Sequence, residues 1–131
     1  MQKSYDRCGY EWVASQRKEG LSLSSALLRE MIPEEGYRLD ALFERSEGKA
    51  RARLQLSRDY ELLGELLWGQ GAYREAWVFL FRALDCSIPS KQMRGVERFQ
   101  LRRRFDELER HISERLAIYK RLPHACRSHL S

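Results

Sequence analysis

The sequence predicts an all-α fold, because only three prolines and eight glycines interrupt 131 residues and apolar residues recur at helical spacing along most of the chain. Hydrophobic residues make up 43% and charged residues 33%, a balance too apolar for intrinsic disorder and too charged for a membrane protein. The length suits a single domain over residues 1–123, since two domains would leave neither with a proper core. Residues 124–131 are expected to form a flexible tail. No run approaches the roughly 18 to 20 apolar residues of a membrane span, and Met1 to Arg7 lacks the apolar core of a signal peptide, so the cytoplasm is the expected location. Cys8, Cys86 and Cys126 are odd in number and widely spaced, which points to reduced thiols rather than a disulfide framework or a zinc ribbon.

About six helices follow from the pattern. Ser4 to Lys18 carries Tyr5, Cys8, Trp12 and Val13 on one side and stops at Glu19-Gly20. A short second helix holds Leu23, Ala26, Leu27 and Ile32, with Ser22 as its cap and Pro33 as its end. Gly36 to Arg45 makes a third, ended by Ser46-Glu47-Gly48, and Lys49 to Gln70 a longer fourth with Leu56, Tyr60, Leu63 and Leu67 in one stripe. Tyr73 to Asp85 has an apolar side broad enough to be covered by more than one neighbour and is expected to be the centre of the core. Ser90 to Arg121 then reads as one helix of about 48 Å. In this last helix Leu101, Phe105, Leu108, Ile112, Leu116 and Tyr119 form one stripe, whereas Met93, Val96 and Phe99 lie nearly opposite, so its first turns are expected to pack on a different neighbour from the rest.

One stretch has a finer signature. Tyr60-x-x-Leu63-Gly64, followed by Leu67, Gly71, Tyr73, Ala76, Leu80, Ala83-Leu84 and Pro89, resembles the tetratricopeptide repeat over about Ser57 to Ser90. Small residues at Gly64 and Ala76 suit the closest approach of two helices, Gly71 suits the tight turn, and Leu67 and Leu80 stand where aromatics are common in the family. The resemblance implies antiparallel helical hairpins and a protein-interaction role. Gly36-Tyr37-Arg38 is similar to Gly71-Ala72-Tyr73-Arg74, so a degenerate upstream copy is expected to use Ser22 to Met31 and Tyr37 to Arg45 as its two helices. The C-terminal helix is expected to cap the array, and self-association is a second source of the burial that a short array needs.

In such repeats ligands lie against the first helix of the hairpin, which points to Arg58, Glu61, Glu65 and Trp68 as candidate peptide-binding or protein-binding residues. Two acids there disfavour a carboxylate ligand and suit a basic or aromatic peptide. A second candidate surface is basic. From Lys91 onward eleven basic residues stand against five acidic ones, a net +6, while the first ninety residues come to about −1. Lys91, Arg94, Arg98 and Arg102 are spaced to share one side of a helix and are candidates for an anionic partner.

Catalytic patterns are missing from the sequence: there is no glycine-rich phosphate loop, no His-Glu-x-x-His and no nucleophile elbow. His124, Cys126 and His129 fit no standard metal spacing, so neither metal nor cofactor is expected. Gln16 to Ser22 resembles the first turn of the helix-turn-helix in Cro-like repressors, but Met31-Ile32-Pro33 would fill the turn and Glu34-Glu35 would open the recognition helix. The expected function is a non-enzymatic protein-interaction module, an adaptor or scaffold. The alternative is a nucleic-acid-binding regulator of the bacterial type that uses the basic C-terminal helix.

Overall fold

The computed structural model describes residues 25–123, which form four helices and no strand: α1 (Ser25–Glu44), α2 (Ala50–Gly69), α3 (Tyr73–Cys86) and α4 (Gly95–Arg121). The all-α expectation holds, but six helices are not found among the described residues. The expected helix at Ser4 to Lys18 lies outside them. The chain divides into two compact units, Met1–Ala41 and Leu42–Ser131.

In the first unit, the expected break at Pro33 does not occur. Pro33 lies inside α1, so the second and third helices of the sequence pattern merge and the upstream hairpin copy is not formed. A proline within a helix removes one hydrogen bond and crowds the preceding turn, at a cost of about 3 kcal/mol. Met31, Ile32, Glu35 and Leu39 are all buried and stay in phase across it, while Pro33 itself is exposed. A continuous buried stripe therefore outweighs one local breaker. The buried Glu35 carboxylate accepts two 2.8 Å hydrogen bonds from the Arg38 guanidinium one turn later.

The second unit opens with the last residues of α1 and the expected turn. Ser46 Oγ donates to the Phe43 carbonyl and accepts from Arg53 Nε, both at 2.6 Å, and the Arg53 guanidinium lies 4.2 Å over the Phe43 ring. The next turn depends on Gly71, whose φ of 78° suits a residue without Cβ. It joins α2 and α3 into an antiparallel hairpin. At Gly64 a Cβ would sit 2.9 Å from Leu80 Cγ and 3.2 Å from the Ala76 carbonyl, so the small residues do mark the closest approach. Tyr60, Leu63 and Leu67 of α2 pack there against the Ala76, Leu80 and Ala83 side of α3, all buried.

Burial of α3 is one-sided. Ala76, Phe79, Leu80, Ala83 and Cys86 turn inward, whereas Val78 and Phe81 are 45% and 50% exposed, so the expected cover from several neighbours is incomplete. Cys86 is buried and forms no disulfide.

The last helix starts later than its pattern suggests, at Gly95 with φ 56°, because the chain from Ser87 to Arg94 is a turn-rich loop anchored by Met93. Met93 is buried with Ala50, Leu54 and Leu101, and thereby ties the loop to the start of α2. The expected second buried face on α4 is not formed. Met93 precedes the helix, and Val96 and Phe99 are 70% and 63% exposed, so no buried face rotates between Phe99 and Leu101. Leu101, Leu108 and Ile112 bury one stripe of α4 over the α2–α3 hairpin. Residues early in α4 meet residues early in α2 and later ones meet later ones, so the two helices run parallel.

Candidate interaction surfaces

The seam between α2 and α4 is polar at its middle. Arg104, only 7% exposed, falls in phase with Leu101 and Leu108, and each nitrogen of its guanidinium donates a hydrogen bond. It donates from Nε to Ser57 Oγ at 2.9 Å, from Nη2 to Glu61 Oε1 at 2.6 Å and from Nη1 to Glu107 Oε1 at 2.8 Å. Ser57 Oγ passes its own hydrogen to the Ala83 carbonyl at 2.9 Å, so one buried hydroxyl joins all three helices of the bundle.

Glu61 also takes His111, whose Nδ1 stands 2.9 Å from Oε2. An ionised carboxylate only accepts, so the hydrogen of this contact lies on Nδ1. Burial pushes the Glu61 pKa up, but hydrogen bonds from Arg104 and His111 and their positive charge more than offset it and hold the pKa below its ordinary value. One turn further along, Arg115 donates to Glu65, and its guanidinium carbon lies 5.6 Å from the Trp68 ring centre.

Of the four candidate residues on α2, the structure therefore gives Glu61, Glu65 and Trp68 to α4 and leaves Arg58 exposed. The basic chemistry that suits this surface comes from Arg104, His111 and Arg115 of the same chain. The aromatic end of the seam is closed too. Trp68 meets Tyr73 and Trp77 edge-to-face at 4.8 and 5.3 Å, and Tyr119 from α4 meets both at 5.7 and 6.3 Å. Edge-to-face packing sets the rim of one ring against the face of its neighbour and spends these aromatic side chains on contacts within the chain.

The basic candidates are exposed but do not form the expected stripe. Lys91 and Arg94 precede α4, so only Arg98 and Arg102, one turn apart, share a helix side. Arg98 Nη1 reaches back 3.4 Å to the Ser90 carbonyl. Arg104 is not among the candidates that the sequence pattern singles out. The available signal was its position, three after Leu101 and four before Leu108, which places it in the buried stripe.

Among the described residues no group of three or more His, Cys, Asp or Glu side chains is placed to hold a metal ion, and the candidates His124, Cys126 and His129 lie outside them. No helix among these residues is long and apolar enough to cross a membrane. Comparison with family models, with curated proteins and with solved structures finds no match.

Proposed function

We propose that this chain is a non-enzymatic protein-interaction module of the cytoplasm, with α2 and α3 as a tetratricopeptide-like hairpin and α4 as its cap. The observation that carries this reading is the outer side of α3. Val78 and Phe81 sit one turn apart on the side opposite the buried residues, and Phe81 is joined to Trp77 by a 6.0 Å ring contact. Large apolar side chains held together in solvent on a rigid helix suit a protein partner. The α4 side of α2 is not that surface, because the protein already covers it.

The test is affinity capture from the native cell extract, treated with nuclease, using the full chain and a Val78→Ser/Phe81→Ser variant. A partner bound by the wild type and lost in a variant with unchanged melting supports the reading. Equal capture by both moves the interaction elsewhere.

The exposed cations at Lys91, Arg94, Arg98 and Arg102 favour the nucleic-acid reading instead. If they bind phosphates, affinity for duplex DNA falls with salt at a log–log slope of about −0.9 per contact. The expected result is no binding to duplex or single strand that survives about 150 mM salt, where non-specific phosphate contacts are weak.

A further inference from the structure

We propose that the start of α4 and the loop before it form a docking surface for an acidic, amphipathic segment of a partner protein. This inference rests on the interaction-module reading and adds the chemistry of one partner. Val96 and Phe99 are among the most exposed large apolar side chains described, at 70% and 63%, and their three-residue separation makes them neighbours on one helix side. Arg103 continues that side, Arg102 borders it next to Phe99, Arg98 stands further round the helix on the same side as Arg102, and Lys91 and Arg94 stand in the loop just before it, all exposed. From Lys91 to Phe105 the only acid is Glu97. An apolar pair is thus bordered by Arg102 and Arg103, with three more exposed cations close by in the chain.

Charge complementarity selects the occupant. A second copy docked through the same surface would set five cations against five. The chain's own remaining segments are unsuitable as well: residues 1–24 hold four basic and three acidic residues, and residues 124–131 hold Arg127 and no acid. Nucleic acid would use the cations and gain little from Val96. A membrane-surface helix needs a long apolar side, whereas beyond Arg103 this one continues with Asp106, Arg110 and Glu114. An acidic segment with one or two apolar anchors uses both the centre of the surface and its rim.

The test uses the full chain and fluorescence anisotropy with a synthetic glutamate-rich peptide bearing Leu and Phe at helical spacing. A second peptide of equal charge has Ser in place of Leu and Phe. A mixed-sequence single-stranded oligonucleotide and phosphatidylserine vesicles are run beside them. The expected result is that the first peptide binds at least about tenfold more tightly than the second, a difference of about 1.4 kcal/mol. Both Phe99→Ser and the double variant Arg102→Glu/Arg103→Glu should weaken it by a similar factor, with melting temperatures unchanged. Absence of peptide binding, or binding indifferent to Phe99→Ser, overturns the proposal, as does a preference for the oligonucleotide or the vesicles. If the α3-dependent capture succeeds while the peptide fails, this surface is wrong and the interaction-module reading stands; failure of both removes that reading too.

Discussion

Towards α2, α4 presents a buried arginine with three polar partners; on its other side, one to two turns earlier, Phe99 and Val96 stand in solvent. Residue type alone would place these side chains the other way round. Position on the helix decides: Arg104 is in phase with Leu101 and Leu108, and Phe99 is not. The buried charge is tolerated because Ser57, Glu61 and Glu107 offset the loss of water around it. The exposed apolar pair has no such compensation among the described residues. A polar group that the fold completes belongs to its architecture, and an apolar group that the fold leaves open is the better place to look for a partner.

The comparison breaks first at Arg104, where the largest effect is expected. Arg104→Ala strands Glu61 in the seam and should lower stability by about 3 to 5 kcal/mol, the usual cost of removing one member of a buried pair. Urea unfolding of the full chain measures it. A loss below about 1 kcal/mol would mean that the clamp contributes no more than a surface ion pair. Replacing Arg104 and Glu61 together by Met is expected to recover much of the loss, since neither charge is then left alone.

Much of this frame is legible without coordinates. Gly64, Ala76 and Gly71 marked the contact and the turn of the α2–α3 hairpin, because close approach and positive φ each demand a small residue. Where local punctuation competes with burial, the sequence misleads. Pro33 looked like a stop, yet the buried positions on either side of it share one phase. The loop before α4 was hidden for the opposite reason: Met93 fits a helical pattern but is buried by reaching back to Ala50. Glu61 and Glu65 were identified as surface residues with an affinity for basic groups, but no spacing rule says that the basic group lies about fifty residues downstream in the same chain.

Acid sharpens the comparison by acting on the clamp. The native Glu61 pKa is depressed, so the unfolded chain binds its proton first as the pH falls. The contribution of Glu61 is therefore complete above the ordinary carboxylate pKa of about 4.3 and is lost as the pH drops through that value towards the lower native one. Glu61→Gln should be less stable than the wild type at neutral pH and should close the gap across that acid window. Urea midpoints at a series of pH values test this, and parallel curves for the two proteins would show that the carboxylate charge does not contribute to the seam.

The smallest expected effect lies on the other side of the helix. Phe99→Ser removes a large aromatic side chain, a change that costs several kcal/mol in a core, but most of this side chain is already in water. Its stability change should stay within about 0.5 kcal/mol, the usual range for surface positions. Leu101→Ala, two residues away on the buried stripe, is the matched control and should cost about 2 to 5 kcal/mol. Thermal unfolding of both variants beside the wild type tests the two sides of α4 against each other. A Phe99→Ser loss approaching that of Leu101→Ala would mean that Phe99 is buried in solution, by the chain or by a second copy. Sedimentation of the wild type over a range of concentrations separates those two outcomes, and either one removes Phe99 from the surface available to a partner.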